Sequence, residues 1–279
     1  SVQALTHADS LSPRTSGALP SKRIAIFAAT PWEMSAVQSA FPPGAERRVG
    51  GRTIFVCTVG DREYWLAQTG VGLEKAERSA AQLLDNQSFS LVVSTGFACA
   101  LIAADIGALL VGREVVYCRN HDDEPSEVLD VPGDEGDLAM TSVESLVPFE
   151  HIGRFVSTDH IIGSAREKQR FALSTQAIGL DMESSALAAQ AQRAKVPFVI
   201  IRSVSDRLDE DLPLDFNLFL RPTGWLKGIE TILAAPSCLL GLGRLRRQSL
   251  VAAEALTAFF RSYVAAMVTE RPKKELSPT

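Results

Sequence analysis

Apolar and polar positions along the chain follow two patterns, one typical of buried strands and one typical of helices. Apolar runs at 23–29, 91–95 and 196–204 predict buried strands, and the last run is rich in β-branched residues. The stretches 73–84 and 184–194 are rich in good helix formers and predict helices. Repeated alternation of strand and helix, with glycine at the joints, predicts a single-domain α/β/α sandwich around a central mixed, mainly parallel sheet.

Further elements follow from the same patterns. Apolar and polar residues alternate at 52–59 and 63–69 around Gly60 and Asp61, which predicts a hairpin. Pro31 suits the first turn of a helix. The remaining predicted elements are strands at 108–117 and 154–157, helices at 33–41 and 164–173, and an exposed acidic loop at 120–138.

The chain divides into three parts. Residues 1–21 are rich in Ser, Ala, Pro and Thr, and we interpret them as a disordered lead or a cloning remnant. Residues 22–213 form the α/β domain. Residues 214–279 form a C-terminal helical extension, with a short helix at 226–234 and a long helix at 239–268.

The long C-terminal helix has two interpretations. It is apolar on one side and carries Arg244, Arg246, Arg247 and Arg261. Either it packs on the sheet and closes the domain, or it lies as a basic amphipathic helix on a membrane surface. No apolar run reaches transmembrane length without a charge, Pro or Gly. We therefore expect a cytoplasmic protein, with peripheral membrane contact through this helix as the alternative.

Composition limits the classes of partner. The 279 residues, 46% of them hydrophobic, can bury one large core, and the net charge of −5 with mixed signs argues against nucleic acid as a partner. The histidines and the cysteines are scattered without metal-ligand spacing, so we expect no metal and no cofactor. Free thiols in a reducing cytosol are the simplest account of Cys57, Cys99, Cys118 and Cys238.

Acidic residues stand at the ends of predicted strands. Glu33 lies in a strand-to-helix turn, Asp181 and Glu183 close one apolar run, and Asp206 closes another. Open α/β sheets bind ligands at the carboxyl ends of their strands, and a buried carboxylate is costly unless it is paired or used. Glu183 and Asp206 are therefore functional candidates, whereas Asp181 equally suits the start of a helix through the helix dipole.

Several segments in this order resemble the nucleoside phosphorylase and nucleosidase superfamily, which includes the methylthioadenosine/S-adenosylhomocysteine nucleosidases. The resemblance covers residues 23–213. The matching segments are RIAIFAATPWE, TGVGLEKA, STGFACAL, IGALLVGREVVY, LDMESSALA and PFVIIRSVSD. The resemblance implies an enzyme that cleaves the bond between ribose and a purine base.

The resemblance also implies roles for individual residues. Glu33 stands at the position of the water-activating glutamate, Met182 and Glu183 at that of the ribose-binding pair, and Asp206 at that of the acid that protonates the base. Bond cleavage makes the sugar cationic while negative charge builds on the base, so each side needs its own partner. Asp206 meets this need if its surroundings raise its pKa enough to hold a proton.

The remaining candidates surround this group. Backbone groups near Ile161 and Ile162 are expected to read the purine edge, and Phe97 and Ala98 belong to the central glycine loop beside the sugar. Arg202 pairs with an acid such as Glu183 for function, or is a structural arginine of a buried strand; both interpretations stay open.

Departures from the family pattern point to the substituent on the sugar. Ile161, beside His160, stands where the nucleosidases carry an aromatic residue, and Phe97 and Cys99 replace small or polar residues. A more apolar pocket favours a greasy 5′ substituent. The segments DMES and STDHIIGSAREKQRFA, together with the C-terminal extension, resemble the hopanoid-associated branch, whose substrate is the lipid-linked nucleoside adenosylhopane.

Hydrolysis is favoured over phosphorolysis, because neither 28–33 nor 95–101 contains Arg or Lys to hold a phosphate. Lys75 or a partner subunit's arginine would reverse this choice and make phosphate a co-substrate. Two further hypotheses stay open, a nucleosidase for methylthioadenosine, S-adenosylhomocysteine or futalosine, and a nucleoside-binding protein without turnover. By analogy with the superfamily, we expect a homodimer.

Overall fold

A computed structural model describes residues 22–128, 130–217 and 237–269. Within them, one mixed sheet of 11 strands is flanked by helices, which confirms the predicted fold class. The strands, β1 to β11 in chain order, are Lys22–Ala28, Ala45–Val49, Arg52–Val59, Arg62–Gln68, Leu91–Ala100, Leu109–Gly112, Val115–Tyr117, Ser126–Val128, Phe155–Ser157, Gly179–Asp181 and Phe198–Asp206.

The helices flank this sheet and follow the predicted strand-helix alternation. In chain order, α1 to α6 are Pro31–Gln38, Leu73–Asn86, Asp134–Glu144, Ala165–Thr175, Ser184–Arg193 and Ser237–Thr269. A short 3-10 helix covers Phe149–His151. Thr30 caps α1 and Ser164 caps α4, each with a side-chain oxygen that accepts from the backbone three residues on.

Parallel strands form the centre of the sheet. Strand β1 pairs in parallel with β4 and β5, and β5 pairs in parallel with β11. Antiparallel pairs add the β2–β3–β4 edge and the β6 strand. Apolar side chains cover both faces of β1 and β11, as expected for strands buried between layers. The carboxyl ends of β1 and β11 therefore open on the same side of the sheet.

Strand β5 does not end at Thr95, as its sequence suggested, but continues to Ala100. Gly96 has a φ of +131°, which a glycine tolerates without cost, and it keeps its pairing with Arg202 of β11. Beyond this point, β5 also pairs antiparallel with β10 through Cys99 and Leu180. The glycine that was interpreted as a strand end is thus a bend within a longer strand.

Edge elements account for the other wrong predictions. The strand predicted at 108–117 is two strands, because β6 pairs with β11 whereas β7 pairs with β9. The segment 120–138, predicted as a loop, contains β8 and the start of α3. Strand β2 was not predicted, since its mostly exposed sequence AERRV has no apolar alternation.

The C-terminal helix α6 packs against the domain, as the first of its two interpretations predicted. Leu256 and Phe260 are buried in the core, and the Tyr64 hydroxyl donates to the Tyr263 hydroxyl at 3.1 Å. Contrary to the sequence expectation, Leu240–Val268 is long and apolar enough to cross a membrane by composition alone. Its buried face is that of a core helix. The helix predicted at 226–234 lies outside the described residues.

Candidate active site

A cavity of about 300 Å³ opens at the carboxyl ends of β1, β5, β10 and β11. Eight of the nine residues selected from the sequence line it, which are Glu33, Phe97, Ala98, Ile161, Ile162, Met182, Glu183 and Asp206. Arg202, the ninth, lies behind the wall and is fully buried. The structure therefore brings together carboxylates that are up to 173 positions apart, from Glu33 to Asp206.

Glu33 is held by the turn between β1 and α1. It forms a capping box with Thr30, whose backbone N–H and Oγ1 donate to Oε2 at 2.8 and 2.9 Å. The other oxygen, Oε1, accepts from the backbone N–H of Phe97 at 2.9 Å. Glu33 is thus both a helix cap and a fixed carboxylate at the cavity wall.

Gly96 makes room for this carboxylate. A Cβ atom on Gly96 would lie 2.4 Å from Glu33 Oε1, closer than any real contact. The φ of +131° at this position is also a conformation that other residues avoid. Both observations require glycine where the β1 turn meets β5.

Asp181 organises the start of α5, as its structural interpretation predicted. Its Oδ1 accepts from the backbone N–H groups of Glu183 and Ser184 at 3.2 and 3.0 Å, and from Ser157 Oγ at 2.6 Å. The Ser184 hydroxyl donates to Oδ2. Asp181 therefore holds the helix start that aims Glu183 into the cavity.

Arg202 places one guanidinium among these acids. Its Nε lies 3.0 Å from Asp181 Oδ2, an ion pair without the alignment of a hydrogen bond, and its Nη1 lies 3.6 Å from Glu183 Oε1. The remaining donors reach Phe97 O and Ser94 Oγ, both at 2.9 Å. The acid predicted as its partner, Glu183, is thus the more distant one, and Asp181 is the nearer.

Glu183 is a buried carboxyl with more acids than cations around it. Its Oε2 accepts from the backbone N–H of Gly72 at 3.0 Å. Burial, together with the neighbouring charges of Asp181 and Glu33, raises the pKa of Glu183 to about 8 although Arg202 opposes the shift. Glu183 therefore exchanges a proton close to neutral pH.

Asp206 ends β11 and lines the same cavity. The pairing of β11 with β5 shifts register between Val204 and Asp206, and this irregularity lets both Ser205 and Asp206 line the cavity. Lys168 Nζ donates to Asp206 Oδ1 at 2.9 Å. Burial raises the pKa of Asp206, and the Lys168 ammonium offsets only part of this increase. The environment thus shifts the equilibrium of Asp206 toward the acid form, the direction that the expected base protonation needs.

Asn217, which was not selected from the sequence, binds the backbone groups of Ile161 that were expected to contact the purine. Ile161 N–H donates to Asn217 Oδ1 at 2.7 Å, and Asn217 Nδ2 donates to Ile161 O at 2.8 Å. Its neighbour Phe216 lines the cavity and supplies an aromatic surface. The aromatic residues that follow Pro213 in the sequence are a pattern that could have identified Phe216, but they do not identify Asn217.

The rest of the lining is mostly apolar. Val71, Leu212 and Leu245 contribute to it, and Leu245 comes from α6. Trp32 packs edge-on against Phe97 with ring centroids 6.1 Å apart. Neither Lys nor Arg is among the lining residues in the described part of the chain. The described residues also contain no group of three or more His, Cys, Asp or Glu that could hold a metal ion.

Solved structures that match this fold include a nucleosidase and a futalosine hydrolase. The S-adenosylhomocysteine nucleosidase of Streptococcus pyogenes, in complex with 5-methylthiotubericidin, superposes with a TM-score of 0.63 at 20% identity, covering 88% of this chain and 98% of that one. Futalosine hydrolase of Helicobacter pylori gives a TM-score of 0.65 at 17% identity, covering 88% and 98%. At these identities, the likeness establishes the fold.

Sequence comparison identifies the family. A 5'-methylthioadenosine/S-adenosylhomocysteine nucleosidase of Staphylococcus aureus (strain MRSA252) is 26% identical over 214 residues, which are 71% of this chain and 92% of the relative. The family model of the Phosphorylase superfamily matches residues 23–221, including every candidate site residue. The chain therefore belongs to the phosphorylase superfamily.

Proposed function

We propose that this protein is a nucleosidase that hydrolyses the N-glycosidic bond of a purine nucleoside with an apolar 5′ substituent. The observation that carries the proposal is the convergence of Glu33, Glu183 and Asp206 on one cavity, with different surroundings for each carboxyl. The nucleosidases among its relatives support the same chemistry.

The base side needs a proton donor. As the bond breaks, the electron pair moves to the base, and a proton delivered to purine N7 neutralises it. Asp206 is suited to this role because its burial raises its pKa and so favours the acid form. Phe216 and Ile162 offer apolar surface beside it for the flat base.

The sugar side needs a proton acceptor and negative charge. Glu33 Oε1 accepts one hydrogen bond from Phe97 N–H, and a carboxylate oxygen has a second lone pair for the attacking water. Glu183, as a carboxylate, accepts hydrogen bonds from the ribose hydroxyls and stabilises the cationic sugar; the developing cation favours this form although burial raises the pKa of the free group to about 8. Met182 provides a polarizable apolar contact beneath the ring.

The charges favour water over phosphate as the nucleophile. No described lining residue is cationic, and Arg202 already faces Asp181, Glu183 and the Phe97 carbonyl. A phosphate dianion would meet these acids without a free cation to hold it. The reaction needs no cofactor in this scheme.

The cavity lining supports an apolar 5′ group. Val71, Leu212, Phe216 and Leu245 surround the space with few polar atoms. A methylthio group fits this chemistry, and a lipid-linked substrate such as adenosylhopane uses the same apolar contact. The contribution of Leu245 gives the C-terminal helix a part in substrate choice.

Assembly and location belong to the proposal as well. A cytoplasmic homodimer is the expectation from the family resemblance. Leu240, Leu250 and Val251 are exposed on α6 beside Arg246 and Arg247, and this combination supports peripheral contact with an anionic membrane. Sedimentation of the protein alone tests whether it is a dimer, and cosedimentation with anionic vesicles tests the membrane contact.

Product analysis tests the reaction. The purified chain is incubated with methylthioadenosine, S-adenosylhomocysteine, futalosine, adenosylhopane and inosine, each with and without phosphate, and base and sugar products are separated by chromatography. We expect free base and free sugar without phosphate, most rapidly from a substrate with an apolar 5′ group. Glu33→Gln is the control variant.

Two different results would change the assignment. A sugar 1-phosphate that forms only with phosphate would make the protein a phosphorylase. Tight binding of adenine without release of base from any nucleoside would make it a silent binding protein, a function favoured by the departures at Phe97, Cys99 and Ile161.

A further inference from the structure

Lys168 is a buried cation beneath the base side of the cavity. It lies on the inner face of α4, and its side chain is 0% exposed. Nζ donates to three oxygens, which are Asp206 Oδ1 at 2.9 Å, Arg207 O at 2.9 Å and Glu210 O. Lys168 does not line the cavity, so it cannot bind a nucleoside directly.

Packing alone does not account for a lysine here. Taking an ammonium group out of water is costly unless each N–H finds an acceptor, and an apolar residue would fill the same space without this cost. The three acceptors satisfy the three N–H groups, and two of them are backbone carbonyls that follow β11. The third is the carboxyl that we assign to base protonation.

Lys168 contacts one of the two oxygens of Asp206. Lys168 donates to Oδ1, so this cation does not occupy Oδ2. The other groups that face this carboxyl are the Cys99 thiol, Glu210 and Arg244. Arg244 donates to the Asp211 carbonyl, and Lys168 is therefore the cation bonded directly to the carboxyl.

We propose that Lys168 is a positioning residue that orients Asp206 and stabilises the carboxylate that forms when Asp206 gives its proton to the base. This inference rests on the proposed nucleosidase function.

The charge balance explains how Lys168 would accelerate the reaction. Asp206 begins as a neutral acid, and its proton moves to N7 while the C1′–N9 electron pair moves to the base. Water then adds to C1′ and loses its proton to Glu33. Negative charge appears on Asp206 only during this step, so an adjacent ammonium favours the transition state over the ground state. Glu33 then releases its proton to solvent, and a proton from solvent restores the acid form of Asp206.

The variant Lys168→Met removes the charge and keeps a long apolar side chain. We expect kcat to fall about 10- to 100-fold, less than the 10²- to 10⁴-fold typical of the acid itself, because Lys168 acts through Asp206. Because the ammonium opposes the raised pKa of Asp206, its loss moves the alkaline limb of the kcat profile to higher pH. Lys195→Met, at an exposed position, is the charge-matched control and leaves both quantities unchanged.

A second substrate separates positioning from simple loss of structure. A 4-nitrophenyl riboside releases a stable anion that needs no proton, so Lys168→Met should lose much less activity on it than on the purine nucleoside. A misfolded site would lose activity on both substrates equally. In addition, Lys168→Met should have little further effect in an Asp206→Asn background, since it acts through Asp206.

The two proposals fail in different ways. Turnover by the parent chain, combined with an unmoved alkaline limb or equal losses on both substrates in Lys168→Met, overturns the role of Lys168 and leaves the nucleosidase intact. Absence of base release by the parent overturns both. An NMR titration of the Asp206 carboxyl gives a readout without turnover: an unchanged pKa in Lys168→Met also contradicts the inference.

Discussion

The two sides of the cavity differ in how their buried carboxyls are paired with cations. On the sugar side, Glu33, Asp181 and Glu183 share the single guanidinium of Arg202. On the base side, Asp206 has the ammonium of Lys168 largely to itself. Burial, together with the nearby acids Asp181 and Glu33, raises the pKa of Glu183 to about 8 although Arg202 opposes the shift. The one-to-one pair suits a group that must give a proton away.

The scaffolds on the two sides differ as well. Asp181, Glu183 and Arg202 are held by strands of the sheet and the start of α5. The base side depends on α4, the end of β11 and the segment up to Asn217, which are joined by side-chain contacts to backbone groups. The sugar side is therefore held mainly by the sheet and the helix starts that follow its strands, whereas the base side also depends on α4 and on the segment up to Asn217.

The largest expected effect tests the base side. Asp206→Asn removes the proton donor while keeping the shape of the side chain, so kcat should fall about 10²- to 10⁴-fold. Initial rates of base release measure this effect, with a thermal melt to check folding. Activity within a few fold of the parent would show that the base leaves without this acid.

The next largest effect tests the sugar side. Arg202→Met leaves Asp181 and Glu183 buried without their cation, and the free energy of unfolding should fall by about 3–5 kcal/mol. Denaturant titration measures it. The matched control is Arg23→Met, because Arg23 is 38% exposed in its pair with Glu63 and should cost less than about 1 kcal/mol. Equal losses of stability in Arg202→Met and Arg23→Met would contradict the expected difference between the buried and the exposed ion pair.

Gly96→Ala tests the junction between strand and carboxylate. The new Cβ would clash with Glu33 at a φ of +131°, so we expect a loss of about 1–3 kcal/mol in stability together with reduced kcat. Gly51→Ala is the control, since its φ is +80° and its Cβ meets no atom within 4 Å. That variant should lose stability only. Normal kcat in Gly96→Ala would mean that Glu33 need not be fixed.

The proton on Glu183 predicts a pH dependence of stability. Its folded pKa of about 8 lies above the ordinary 4.5, so the unfolded chain binds fewer protons between these values. Stability from this group is complete below about pH 4.5 and is lost as pH rises through 8, by about 1 kcal/mol per pH unit. Denaturant titrations of the parent and Glu183→Gln should differ in this slope; parallel slopes would contradict the shift.

The smallest effect concerns Asn217. Its carboxamide occupies the Ile161 N–H and C=O, the groups expected to read the purine edge. Asn217→Ala removes this competitor, and the Kd for adenine should fall about 2- to 10-fold, the worth of about one net hydrogen bond. Calorimetry measures the change. Weaker binding would show that Asn217 itself contacts the base.

Prediction from sequence succeeded where the pattern is local. The apolar runs that became β1 and β11 and the amphipathic α2 were predicted within a few residues, because burial of a strand or of one helix face leaves a regular period. The polar edge strand β2 and the interrupted β6 and β7 left no such period. The end of β5 was predicted wrongly at Gly96, because glycine occurs both at bends within strands and at strand ends.

The site shows the same division. Acids at strand ends were visible in the sequence, since a carboxylate beside an apolar run is unusual. Lys168, Phe216, Asn217 and Leu245 were not selected, because each is an ordinary residue of its own segment. Their importance comes from contacts with residues far away in the chain, such as Lys168 with Asp206 and Asn217 with Ile161.

The amino-acid sequence by itself determined the strand-helix alternation, the position of the carboxyls at strand ends and the family. Only the tertiary structure decided which cation each carboxyl faces, because one arginine and one lysine come from distant elements and a buried charge takes its pKa from whatever surrounds it. The local pattern of apolar residues reflects which side chains are buried. Which charged groups pair depends on their distances in the folded protein.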